Sequence, residues 1–126
     1  MKKNGFTLIE LLAVIVILAI IALIATPAVL NIIEDSKKSA AERSTEAVVK
    51  AGEIHYMTQV AKGVAVTNPL TLQAKDMNVD NAPSAGTVKV EVTADGQTVT
   101  VTATGLVFDT YTCDYTTKAV CTKKTN

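Results

Sequence analysis

The stretch Gly5–Ala25, GFTLIELLAVIVILAIIALIA, decides the fold of this chain of 126 residues. From its phenylalanine onward the run is apolar except for Thr7 and Glu10, and twenty residues in an α-helix span roughly 30 Å, the thickness of a bilayer core. Lys2 and Lys3 precede the run, and positive charge holds the adjacent helix end in the cytoplasm. The sequence therefore predicts one membrane-spanning helix with the rest of the chain exported.

Glu10 is the unusual residue of this run, because an ionised carboxylate in hydrocarbon costs about 2.5 to 3.5 kcal/mol on insertion scales. A position near the lipid surface is one solution. The short glutamate side chain and the apolar neighbours on both sides favour another, a partner of opposite charge, since an unpaired buried charge is costly.

A secretory signal peptide is the rival interpretation of a basic start followed by an apolar run. Glu10 falls where such a peptide should be purely apolar. Helix-compatible sequence also continues beyond Ala25, where a small-residue cleavage site followed by polar residues would be expected. Both features favour a helix that stays attached to the chain.

The segment Gly5–Glu10, GFTLIE, resembles the class III signal of type IV pilins and pseudopilins, in which it follows a short basic leader. The resemblance implies that residues 1–5 are a leader, that prepilin peptidase cuts between Gly5 and Phe6, and that the new N-terminal Phe6 is methylated. Cleavage would also give Glu10 its partner for filament assembly, the freed ammonium of Phe6 in a neighbouring subunit.

Pro27 divides the predicted helix into an apolar half, residues 6–27, and an amphipathic half, residues 28–63. It removes a backbone donor and clashes with the carbonyl four residues earlier, so a kink is expected near residues 23–27 without an end to the helix. Gly63 supplies the stop. Such a helix would be roughly 85 Å long, more than a small head covers, so its apolar half needs a membrane or other copies of the chain.

The apolar positions of the amphipathic half recur at steps that favour one helix face. They are Ile33, Ala40, Ala47, Val48, Ala51, Ile54 and Ala61. Residues 64–86 follow and contain both remaining prolines with several Asn and Asp residues, which predicts an irregular connection with one helical turn around Leu70–Lys75.

Residues 87–126 alternate between apolar and polar side chains and predict an antiparallel β-sheet. Asp95-Gly96 is a two-residue hairpin signal. That turn places three pairs opposite each other on one apolar face: Val92 with Val99, Val90 with Val101, and Val88 with Ala103. We expect this face to pack on Val48, Ala51 and Ile54 of the helix. The other face carries Thr98, Thr100, Thr102 and Thr104, which favours a solvated surface, with glycosylation as the alternative.

Gly105 predicts a further turn, followed by a second strand pair, Leu106–Tyr115 and Ala119–Lys123. An even number of cysteines in an exported domain favours a disulfide, and Cys113 lies opposite Cys121 if the loop between the strands has three or five residues. Two free thiols are the alternative. The resemblance to pilins also implies a disulfide in this C-terminal region.

No constellation of catalytic residues appears in the sequence, so an enzyme is not expected. His55 is the only histidine, and with two cysteines it makes no metal-ligand cluster. Twelve basic and twelve acidic residues give no net charge and form no basic patch, so no nucleic-acid partner is expected. The sequence contains no P-loop and no dinucleotide-binding glycine pattern, so no cofactor is expected.

The predicted fold class is α+β, a long N-terminal α-helix packed on a small antiparallel β-sheet. The resemblance implies a structural subunit of a type IV pilus for adhesion, motility or biofilm formation. Such a subunit is a single-pass membrane protein first and part of an extracellular helical homo-oligomer later. Its implied partners are the cytoplasmic membrane, prepilin peptidase, an assembly ATPase and a platform protein. A pseudopilin of a secretion or DNA-uptake system and a membrane-anchored binding domain are the alternatives.

Overall fold

The computed structural model describes residues 4–125 as one long helix and five strands. Residues 1–3, which belong to the predicted leader and include Lys2 and Lys3, and Asn126 lie outside the described residues. The elements are helix α1 (Leu8–Ala61), β1 (Leu70–Gln73), a short 3₁₀ helix (Ala74–Asp76), β2 (Ala85–Val92), β3 (Val99–Phe108), β4 (Tyr111–Tyr115) and β5 (Ala119–Lys123). Each strand pairs antiparallel with the next, in the order β1-β2-β3-β4-β5. The predicted α+β class is confirmed.

The chain divides after Ser36 into two compact units. We call residues 4–36 the tail unit and residues 37–125 the head unit. Within the tail unit the helix is continuous through Pro27, and the hydroxyl of the preceding Thr26 donates to the Ala22 carbonyl at 2.6 Å. The kink expected at Pro27 stays a prediction.

The head unit packs the helix on the sheet through four buried residues, Ala41, Thr45, Val48 and Gly52. A Cβ atom at position 52 would lie only 2.8 Å from Cγ1 of Val88, so glycine is what lets the helix approach the sheet this closely. The Thr45 hydroxyl, buried in the same contact, donates to the Ala41 carbonyl at 2.9 Å.

The prediction of which helix residues contact the sheet is only partly correct. Val48 is fully buried, Ala51 is half-buried, and Ile54 is 55% exposed. The expectation for Ile54 is wrong because the contact row follows residues small enough for a close approach, two of which, Thr45 and Gly52, are not hydrophobic.

The β2–β3 hairpin confirms the predicted register, with Val88 opposite Ala103, Val90 opposite Val101 and Val92 opposite Val99. The turn itself differs from the prediction. The Gly96 amide donates to the Thr93 carbonyl at 2.8 Å and the Thr93 amide to the Thr98 carbonyl at 3.0 Å, which leaves a four-residue loop, residues 94–97. Loops of two and four residues give the same register here because both are centred between Asp95 and Gly96.

Gly105 does not make the predicted turn. Strand β3 continues through it, and the pairing register shifts between Ala103 and Leu106 and, on β2, between Ala85 and Thr87. Gly86 and Gly105 have φ of 121° and 62°, and a Cβ on Gly86 would lie 2.7 Å from the Gly105 carbonyl oxygen. The glycines therefore allow a bulge, and the chain reverses between Phe108 and Tyr111 instead.

The connection at residues 64–86 also contains more structure than predicted. Leu70–Gln73 is an edge strand that pairs with β2, so a helical turn over these four residues is wrong. The backbone turns helically only afterwards, in the 3₁₀ segment Ala74–Asp76. Leu70 and Leu72 lie opposite Val90 and Val88, which extends the apolar face of the sheet by one strand.

Candidate processing and assembly site

The chain enters helix α1 from a segment without regular secondary structure. Residues 4–7 have no helical structure, and the first intrahelical hydrogen bond runs from the Leu11 amide to the Thr7 carbonyl at 3.2 Å. Gly5 and Phe6, the predicted cleavage residues, both lie in this segment, and the Phe6 side chain is 84% exposed. The peptide bond between them is therefore outside the helix.

Thr7 and Glu10 form a reciprocal capping box at the start of the helix. The backbone amide and the hydroxyl of Thr7 each donate to Oε2 of Glu10 at 2.9 Å. In return, the Glu10 amide donates to the Thr7 hydroxyl at 3.3 Å. Two helix-terminal amides that have no intrahelical partner are satisfied in this way.

The capping box gives the Glu10 carboxylate a partner within its own chain, which the sequence interpretation did not consider. The signal was present as Thr-x-x-Glu directly before an apolar run. Both bonds from Thr7 end on the same carboxylate oxygen. A carboxylate is also favoured here because the helix N-terminus carries partial positive charge.

The helix beyond this site presents an apolar surface that the chain does not cover. Every residue from Asn4 to Ala40 is exposed. The helix is long and apolar enough to cross a membrane. The large exposed side chains of this segment are Phe6, Leu8, Ile9, Leu11, Leu12, Val14, Ile15, Val16, Ile17, Leu18, Ile20, Ile21, Leu23, Ile24, Val29, Leu30, Ile32 and Ile33.

Cys113 and Cys121 form a disulfide in the head unit, far along the chain from the capping box. They lie directly opposite each other on β4 and β5, and the loop between the strands has three residues, 116–118. Cys113 is fully buried and Cys121 is the one buried residue of β5, so the bond fastens an otherwise exposed edge strand to the core.

Within the part of the chain that the structure describes, the remaining polar groups form no catalytic or metal site. His55 is exposed and its Nε2 lies 3.4 Å from Nε2 of Gln59, one helical turn away. Among residues 4–125, no group of three or more His, Cys, Asp and Glu side chains is arranged to hold a metal ion.

Comparison with protein families matches residues 1–26 to the prokaryotic N-terminal methylation motif. This motif is the class III signal of type IV pilins, and its match supports a type IV pilin-like protein. The long N-terminal helix and five-stranded antiparallel sheet have the arrangement expected of such a protein. Neither the curated proteins nor the solved structures gave a match.

Proposed function

We propose that this chain is a structural subunit of a type IV pilus, cut between Gly5 and Phe6 by prepilin peptidase, methylated at Phe6 and assembled through its N-terminal helix. The observation that carries the proposal is the methylation motif of residues 1–26 at the start of a helix whose apolar surface is exposed. Adhesion, motility and biofilm formation are the functions such a filament would serve.

The apolar surface of the tail unit supports assembly on energetic grounds. Burying one large apolar side chain contributes about 1.5 to 3 kcal/mol, and 18 such residues from Phe6 to Ile33 are exposed. A surface of this size requires lipid before assembly and neighbouring subunits afterwards. Ala13, Ala19, Ala22 and Ala25 lie in the same segment, and small residues let helices approach closely.

Glu10 has two roles in this proposal, one in each environment. In the single chain its Oε2 atom accepts both hydrogen bonds from Thr7. In the filament the Phe6 ammonium of a neighbouring subunit would pair with the same carboxylate, so that neither charge is buried alone. The partners of this step are a platform protein in the membrane and a cytoplasmic ATPase that drives assembly.

The test replaces Glu10 by alanine in the full-length chain and follows processing and assembly separately. Glu10→Ala is expected to enter the membrane and lose its leader, because its Thr7 hydroxyl still accepts from the amide of residue 10. Its yield of sheared filaments should fall at least about tenfold, the effect of one lost buried charge pair. Glu46→Ala, an exposed acid on the same helix, is the control and should assemble normally. Normal filaments from Glu10→Ala would contradict the charge pairing.

Two further measurements separate the pilus from its alternatives. The methylation motif is shared by pilins and pseudopilins, and only pilins form long surface fibres that electron microscopy would show in the parent strain and not in a deletion strain. Mass spectrometry of the mature protein tests the anchored binding domain, for which an intact Met1 would be found instead of N-methyl-Phe6.

A further inference from the structure

The position at which helix α1 begins has a consequence for the chain as a protease substrate. The helix starts at Leu8, three residues after Gly5, and the segment that contains the Gly5–Phe6 bond is non-helical and exposed. Exposed, non-helical chain is what proteases cut, because the peptide must fit an active site along its length. What fixes the helix start therefore also decides how the bond is presented.

Asn4 offers the chain a second helix start. Asparagine is among the strongest N-cap residues, and a helix capped by Asn4 would have Gly5 as its first helical residue. The Gly5–Phe6 bond would then lie inside the first turn. In the structure the three hydrogen bonds between Thr7 and Glu10 select the later start, which leaves this bond outside the helix.

We propose that the Thr7–Glu10 capping box is a positioning device that keeps the Gly5–Phe6 bond in non-helical chain for the leader peptidase. The inference rests on the cleavage assigned in the proposed function. In that step water adds across the amide: the C–N bond breaks, the Gly5 carbonyl carbon takes the hydroxyl as a carboxylate, and the Phe6 nitrogen becomes an ammonium. Thr7 touches neither atom of the broken bond and acts through the backbone that it fixes.

The experiment compares cleavage of full-length variants in membrane vesicles that contain prepilin peptidase, followed by intact-protein mass spectrometry. Thr7→Val keeps the side-chain shape but removes the hydroxyl, and its initial rate should fall about fivefold, the effect expected when one helix cap is lost. Thr7→Ser retains the cap and should be cut within about twofold of wild type. Thr26→Val removes a hydroxyl bonded within the same helix and is the matched control.

Two variants distinguish an effect of the capping box on cleavage from direct recognition of Thr7 by the peptidase and from an effect of the Glu10 charge. Asn4→Ala removes the competing cap, so adding it to Thr7→Val should restore part of the lost rate, with Asn4→Ala alone as reference. Glu10→Gln keeps the capping box, since glutamine serves at the same position, and it should be cut at the wild-type rate although it carries no charge for assembly.

The Cα chemical shifts of Gly5 and Phe6 in the uncut precursor give an independent readout. They should move toward helical values in Thr7→Val and return in the double variant. Wild-type cleavage of Thr7→Val, or slow cleavage with unchanged shifts, would overturn the inference and leave the proposed function standing. A wild-type chain that the peptidase does not cut would overturn the leader cleavage itself and this inference with it.

Discussion

The tail unit and the head unit contain parts of the same helix but differ in whether the chain itself covers the apolar surface of that helix. In the head unit, Ala41, Thr45, Val48 and Gly52 are buried against the sheet. In the tail unit every described residue is exposed, although this is the more apolar segment. The comparison teaches that the head carries its own stabilising contacts, whereas the tail requires contacts from outside the chain.

Removal of the tail gives the sharpest test of this comparison and the largest expected effect. Residues 37–126 produced alone should move from the detergent phase to the aqueous phase, because the exposed apolar side chains of residues 6–33 are gone. The fragment should still unfold in one cooperative transition, followed by circular dichroism, with the full chain in detergent as control. Aggregation of the fragment would show that the head depends on the tail.

Removal of the disulfide should weaken the head and leave the tail unaffected. The two cysteines are eight residues apart, and a closed loop of that size contributes about 2.5 kcal/mol to the free energy of unfolding in the chain-entropy account. Cys113→Ala with Cys121→Ala should lose about this amount in urea unfolding while membrane retention stays unchanged. The free energy of unfolding of reduced wild-type protein should approach that of the double variant. Equal stability of the oxidised wild type, the reduced wild type and the double variant would contradict the expectation.

A larger residue at position 52 should act on the head alone, with a slightly smaller effect. Gly52→Val forces a side chain against Val88 and should lower the free energy of unfolding by about 1 to 3 kcal/mol, as overpacking does. Ala47→Val, exposed on the same helix, should change it by less than about 0.5 kcal/mol. Adding Val88→Ala to Gly52→Val makes room and should recover part of the loss, measured as a double-mutant cycle.

The smallest expected effect is a pH dependence at the β2–β3 loop. The Thr93 hydroxyl and the Gln97 amide donate to the exposed Asp95 carboxylate and hold its pKa below the usual value. A lowered folded-state pKa stabilises the fold above the unfolded-state pKa, and this contribution is lost as the pH falls through the folded-state value. Asp95→Asn should therefore flatten the acid side of the head's stability profile slightly.

The features predicted well from sequence are those in which two local signals agree. The register of β2 and β3 follows from the alternation of valines together with the Asp95-Gly96 turn signal, and a one-residue shift would turn every valine to the solvent. The odd number of residues in the loop between Cys113 and Cys121 also follows from the alternation of side chains, because only such a loop places the two cysteines directly opposite each other. The apolar run near the N-terminus is likewise decided by length and composition alone.

The features missed depend on close approach or on polar bonds that hydrophobic patterns do not describe. Gly52 and Thr45 face the sheet because they are small or satisfied by the helix backbone, so counting apolar residues pointed to Ile54 instead. Gly105 has the positive φ expected of a turn but uses it for a bulge. The capping role of Glu10 follows from Thr7 three residues earlier, a polar pattern that a reading of apolar residues and charges does not include.

The side chain of Asn68 pairs with the backbone of β2 just beyond the start of β1, where β1 provides no backbone partner. Its amide oxygen accepts from the Val92 amide at 3.1 Å and its amide nitrogen donates to the Val92 carbonyl at 2.6 Å. One side chain thus occupies both groups through which another chain could add a strand at this step of β2. Where copies of the chain are crowded together, this protects against edge-to-edge aggregation without adding a charge to the edge.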